Sequence, residues 1–237
     1  MSTTPSAAHQ PVSASAPMSL TERRKAETRM EIARAAAALF VQQGLRATRA
    51  EDIAHAAGIA PRTFYRYFAG KEEAVAPLYA AGAQRWTEAV RTAPAHLSLP
   101  QALEHAVQHT LTPGVGVSAA SWEWVRTLIR LAGSSPALGK VWAEVCQTSE
   151  GALTEILAAR VPGGKAGDVD LRFAAAVAGA AVRVAVESWA VTTNPPTGPG
   201  GPAALALRNL HALRDFEWGG CGGGSEARGG CMGAGAE

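Results

Sequence analysis

Residues 58–73 read GIAPRTFYRYFAGKEE, a segment that crowds four aromatic rings and two arginines between two glycines. At about 100° per residue on a helix, Phe64 and Phe68 project to one side with Tyr67 beside them. Arg62, Arg66 and Tyr65 project to the other, with Thr63 at their edge. One side is a core face. The other is a row of hydrogen-bond donors suited to an anion.

Other side chains with chemical potential are scattered. His105 and His109 stand four apart, a spacing that can hold a metal, but no third ligand or Glu motif accompanies them. Cys146 has no activating base near it in sequence and reads as a buried structural thiol. No nucleophile–base pair, paired acids or phosphate loop appears, so no catalytic residue, metal or cofactor is expected. Trp122, Trp142 and Trp189 put large rings on C-terminal helices that also carry Arg126, Arg130 and Arg183. Tryptophans on bundle helices are core or ligand cage; apolar walls with a few polar groups describe pockets as well. Trp122, Arg126, Trp142, Cys146, Arg183 and Trp189 are the candidates for such a pocket. A buried arginine needs an anionic partner, protein or ligand, and the second case suggests an acidic, largely apolar effector.

The elements that must position these residues are helical. Alanine supplies much of the 47% apolar content, and nothing alternates with period two. A helix is expected over 21–43, with Ile32, Ala36, Leu39 and Phe40 on one face and Gly44 as its stop. TRAE at 48–51 reads as a capping box in which Thr48 caps a short second helix and Glu51 reaches back. Gly58 ends that helix, and Pro61 opens the third at a first helical position. A fourth helix follows Gly70, with Pro77 inside it as a possible bend. Five longer helices are expected at 99–111, 118–133, 136–160, 168–193 and 202–217, bounded by Gly/Pro-rich breakers.

Two short helices joined by a Gly-containing turn, behind a packing helix, make a helix-turn-helix. In that motif the second helix enters the DNA major groove, where arginine to guanine is the commonest specific contact. The charge agrees. Residues 20–92 hold twelve Lys/Arg against eight Asp/Glu, while the rest holds ten against twelve, so a basic first third sits on a slightly acidic body.

The segments IARAAAALFVQQG, DIAHAAGIA, TFYRYF and KEEAV, in order and without gaps, resemble the N-terminal domain of TetR-family transcriptional regulators. The resemblance implies an all-helical homodimer of nine or ten helices whose C-terminal domain binds a small ligand that releases DNA. It puts Tyr65 at a tyrosine that contacts phosphate and Thr63 at the usual threonine. Lys71 falls at a lysine that holds the backbone at the start of helix four, and Arg49 at the backbone-contacting end of helix two. With Thr48, Arg62, Arg66 and Tyr67 these form the expected DNA-binding set. Ala60 stands where a serine often caps the recognition helix, a loss of about 1 kcal/mol. Arg62 replaces a frequent glycine, and Arg66 with Tyr67 a frequent aromatic–His pair, so the operator is this chain's own. The family's dimer contact would use the last two helices, RFAAAVAGAAVRVAVESWA and AALALRNLHALRDF.

The expected architecture is therefore an all-α chain of about nine helices. It comprises an arm (1–19), a helix-turn-helix domain with linking helix (20–92), an effector-binding and dimerisation bundle (93–218) and a Gly-rich tail (219–237). An odd count of three cysteines, two of them in the glycine tail, and no apolar signal segment point to a soluble, cytoplasmic protein without a membrane partner. Three functions stay open: a repressor released from a palindromic operator by an effector, a ligand-free DNA binder or activator, and a small-molecule binder or enzyme without DNA function.

Overall fold

The computed structural model describes residues 19–114, 119–161 and 168–213, which fold into helices with no strand among them. In chain order these are α1 (Leu20–Gln43), α2 (Ala50–Ala56), α3 (Pro61–Tyr67), a single 3₁₀ turn (Glu73–Val75), α4 (Ala76–Thr92), α5 (Leu99–Leu111), α6 (Ala119–Ser134), α7 (Pro136–Arg160), α8 (Asp168–Ala190) and α9 (Pro202–His211). The arm before Ser19, the tail, and the end expected for the last helix (214–217) lie outside the described residues.

Local chemistry explains the starts and stops. Ser19 caps α1 reciprocally: its Oγ accepts from Glu22 N–H at 3.2 Å, and Glu22 accepts from Ser19 N–H at 2.8 Å. After α2 the chain closes with Ile59 N–H on Ala54 O (2.9 Å) and Gly58 N–H on His55 O (3.0 Å), while Gly58 takes φ +68°. That left-handed turn favours glycine and sets the angle between α2 and α3. Ala60 does leave α3 without a side-chain cap, and Pro61 opens it.

Two expectations change. The cap of α2 is displaced by one residue: Arg49 N–H donates to Asp52 Oδ2 at 2.9 Å, whereas the Thr48 hydroxyl turns inward and donates to Gly44 O at 2.9 Å. Glu51 accepts from Tyr65 instead of reaching back. Pro77 falls in the first turn of α4, where its missing N–H has no intrahelical partner to lose, so it does not interrupt a helix. The 3₁₀ turn takes up the residues before it.

The interior is organised in two apolar clusters. One runs from Ile53, Phe64 and Phe68 through Phe40, Val75 and Tyr79 into Trp122, Ile129, Leu138 and Trp189. It therefore joins the helix-turn-helix to α6, α7 and α8 without a break. The other gathers Trp86, Val90, Leu103, Leu153, Leu157, Ala178 and Leu210 from α4, α5, α7, α8 and α9. Helix α4 enters both. The Tyr79 hydroxyl donates to Leu128 O at 2.8 Å, tying α4 to α6, and burial pushes its pKa above the ordinary phenol value. Arg160 bonds Ala93 O (2.8 Å) and Pro94 O (2.9 Å), holding the exit of α4 against the end of α7.

Candidate nucleic-acid interface and ligand cavity

Helix α3 is anchored from beneath. Phe64 is fully buried and Phe68 nearly so, with ring centroids 5.7 Å apart, while Ile53 of α2 is buried and Ile59 of the turn partly so. A contact not legible in the sequence comes from α1. Arg29 Nη1 donates to Tyr67 O at 2.9 Å, and its guanidinium lies 4.6 Å from the Phe68 ring centroid. That cation closes the C-terminal end of α3, where carbonyls lack helical partners.

The outer face of the unit carries Arg49, Arg62, Tyr65 and Arg66, all exposed, with Thr63 and Tyr67 half-buried at its margin. Arg49, Arg62 and Arg66 have no ion-pair partner among the described residues. The Arg66 guanidinium sits 5.4 Å from the Tyr67 ring centroid, which orients it along the helix. The Tyr65 hydroxyl donates to Glu51 Oε1 at 3.2 Å; lost hydration and then this carboxylate raise its pKa, so the phenol keeps its donor proton.

Two of the expected contacts stand differently. Thr48 is fully buried and its hydroxyl already bonds Gly44 O and Gln43 Nε2, so its side chain offers nothing to DNA. Lys71 Nζ donates to Leu45 O at 2.7 Å and Thr48 O at 2.8 Å, binding the α1–α2 loop to the segment after α3. One N–H remains for a phosphate. Lys71→Met is expected to lower thermal stability by about 1–3 kcal/mol through the two abandoned carbonyls, and to weaken DNA binding evenly across sequences. Calorimetry of the variant beside the wild type, with titration of two unrelated duplexes, checks both effects.

A cavity of about 770 Å³ opens between α4, α6, α7 and α8 and reaches α1. Its walls include Tyr79, Trp86, Trp122, Trp124 and Trp142, with Cys146, Glu150 and Arg183 among the polar groups. Trp142 Nε1 donates to Glu187 Oε1 at 2.7 Å, and the same carboxylate meets Arg183 Nη1 at 3.3 Å. Burial pushes the Cys146 thiol up to about 11 against the opposing pull of Arg183, so it stays protonated near neutrality.

Of the six pocket candidates, Trp122, Trp142, Cys146 and Arg183 line this cavity. Arg126 and Trp189 do not. Arg126 is buried with Nη1 on Thr192 O at 3.0 Å, Nη2 on Asn194 O, and its guanidinium 4.3 Å from the Trp189 ring centroid. Trp189 is fully buried and donates to Asn194 O at 3.1 Å. Together they pin the segment after α8, and Arg126 Nε also lies 3.8 Å from Glu123 Oε1, so buried Arg126 is met by backbone carbonyls and a carboxylate of the protein instead of a ligand. Among the described residues no three His, Cys, Asp or Glu side chains could hold a metal, and His105 and His109 are exposed and stacked, 6.4 Å between centroids.

Comparison with known proteins locates this arrangement. The family described as "Bacterial regulatory proteins, tetR family" matches residues 32–76, from the middle of α1 to the start of α4. The HTH-type transcriptional regulator TcmR of Streptomyces glaucescens is 32% identical over 175 residues, spanning 72% of this chain and 76% of the relative. The chain belongs to the TetR family. It is a DNA-binding transcriptional regulator and not an enzyme. The transcriptional repressor KstR2 of Mycobacterium tuberculosis shares 51% identity over 47 residues, 20% of this TetR-family chain and 24% of the relative. The crystal structure of the TetR-family repressor FadR of Thermus thermophilus, in complex with lauroyl-CoA, superposes with a TM-score of 0.55. It is 25% identical and covers 85% of this chain and 100% of its own. Among the described residues no helix is long and apolar enough to cross a membrane.

Proposed function

We propose that this TetR-family regulator is a homodimeric, cytoplasmic repressor, released from a near-palindromic operator by a small-molecule effector. The observation that carries the reading is the aromatic-walled cavity, which borders both α1 of the helix-turn-helix and α8 of the bundle. A DNA binder acting without a ligand has no use for such a space. Residues 20–92 act as the DNA-binding unit, with Arg49, Arg62, Thr63, Tyr65, Arg66, Tyr67 and the remaining N–H of Lys71 facing the duplex. Residues 93–218 carry the dimer contact and, together with α1 and α4, enclose the effector. Helix α8 supports that contact: Val169, Phe173 and Val184 stand 45% to 77% exposed along it, with Val191 exposed just past its end, an apolar stripe that water would not favour. A second copy covering it would set two recognition helices about one DNA turn apart, roughly 34–36 Å.

The effector acts by preferring one dimer geometry; bound equally by both, it would shift nothing. FadR, crystallised with lauroyl-CoA, gives a precedent for a ligand-bound repressor of this fold. Selection of bound duplexes from a random pool, with the solution mass recorded beside it, tests the reading. Enrichment of an inverted repeat by a dimer is the expected result. Enrichment of a single half-site by a monomer would overturn the dimeric model.

A further inference from the structure

The cavity contains charges of both signs: half-buried Glu150 of α7 lines it with no ion-pair partner among the described residues, which keeps an anionic group away from that wall. Arg183 is held by Glu187, and Arg126 lies outside the walls on carbonyls. Arg34 of α1 and Arg85 of α4 border the same cavity. Neither has an ion-pair partner among the described residues, and both are exposed, which places them at the opening and not in the depth. Met30, one helical turn before Arg34, and Gly82, nearly one before Arg85, line the wall beside them. A Cβ built on Gly82 would meet nothing within 4 Å, so the wall there is open space. Helices α1 and α4 pack against each other, and Arg34 and Arg85 line the cavity one from each of them.

We propose that the effector is an amphipathic organic anion. Its apolar body fills the aromatic cavity and its anionic group is held jointly by Arg34 and Arg85. This rests on the effector reading above and names its chemistry. An exposed arginine costs little to leave solvated while the cavity is empty, which is why neither needs a protein partner. An anion with an apolar body has the opposite preference: the body enters, and the charge stays where water and two guanidiniums meet it. Guanidinium forks bind carboxylate, sulfonate or phosphate oxygens bidentately. Because Arg34 is part of the helix that packs on α2 and Arg85 is part of the linking helix, the bound anion becomes a strut between them. The strut favours the α1–α4 geometry in which both reach it, and this differential contact couples effector to operator.

Two dyes with one ring body test the charge directly: anilinonaphthalene sulfonate, an anion, and phenylnaphthylamine, its neutral counterpart. Both are titrated by fluorescence into the full-length protein and into a variant combining Arg34→Ala with Arg85→Ala. Arg91→Ala, exposed on α4 and outside the cavity walls, serves as the control. The double variant is expected to weaken the sulfonate dye at least roughly tenfold, leaving the neutral dye within about twofold of wild type. The sulfonate dye alone is expected to release operator DNA from the wild type and to fail with the double variant. Displacement of the dye by decanoate or by pyrene carboxylate then tells a chain from a ring system. If both dyes bind wild type and variant alike, the cavity reading stands and the arginine clamp is wrong. If neither dye binds the wild type, both are wrong.

Discussion

A variant combining Arg62→Ala with Arg66→Ala should lose about 2–6 kcal/mol of discrimination between the operator and an unrelated duplex, at about 1–3 kcal/mol per lost bidentate base contact. Both side chains are exposed on α3, neither is engaged by a carboxylate, and the rings that anchor the helix lie on its opposite side. Removing them should therefore leave the fold intact. It should also leave the weaker, sequence-independent attraction that Arg49, Tyr65 and Lys71 supply through phosphates. The salt dependence separates the two roles. Each guanidinium that touches a phosphate contributes nearly one released counterion, so two phosphate contacts would flatten the slope by about two and weaken every duplex equally. Base readers lower operator affinity with little change on the unrelated duplex. Fluorescence anisotropy with both duplexes at two salt concentrations measures all four quantities. Equal loss on both duplexes would reassign the arginines to the backbone and leave Thr63 and Tyr67 to read sequence.

The glutamate beside Tyr65 belongs to the same balance. Glu51 Oε1 accepts a hydrogen bond from the Tyr65 hydroxyl at 3.2 Å, so its negative charge lies next to the site proposed for a phosphate. For Tyr65 to donate to phosphate, that bond has to be exchanged. The arrangement keeps the ring oriented, in a T-shaped contact with Phe64 at 5.4 Å, while it waits. It also disfavours loose anionic partners through like-charge repulsion.

Most helix limits were legible because glycine and proline punctuate this chain where they can act only as stops or starts. Gly44, Gly58 and Pro61 bound α1 to α3, and the structure departs from those limits by a residue or so. The cap of α2 was misplaced because Thr48, Glu51 and Asp52 are all competent capping residues in a four-residue window. What decided it was burial of the Thr48 hydroxyl against Gly44 O, a tertiary fact. The carbonyl partners of Arg126 are tertiary in the same way. A charged residue on an apolar helix signals an anion, and here Glu123 one turn earlier supplies it, while the segment TTNPP after α8, which cannot bond its own carbonyls in a helix, gives those carbonyls to the rest of the guanidinium. Arg34 and Arg85 carried no signal at all. Each looks like a solvated surface residue on its own helix, and only the packing of α1 on α4 brings both to one cavity.

The same packing sets the outcome for the largest expected loss of stability. Phe64→Ala should cost about 3–5 kcal/mol, because a fully buried ring leaves a void that the short helices around it cannot close. Set against a typical total of about 5–15 kcal/mol, that is enough to threaten the fold. The form of the melting curve is the informative part. Were the helix-turn-helix a separate body, it would melt first and leave the tryptophans of α6, α7 and α8 undisturbed. The buried cluster gives no such seam: it passes from Phe64 through Phe40, Val75 and Tyr79 to Trp122 and Trp189. The expected result is a single transition, with tryptophan fluorescence and helical circular dichroism falling together at a lowered midpoint. Phe64→Leu, which retains most of the volume, should recover the greater part of the loss. Two separated transitions in Phe64→Ala would show that the recognition helix can unfold without the bundle. Coupling between effector and operator would then run through order and disorder of α3 and not through the geometry of α1 and α4.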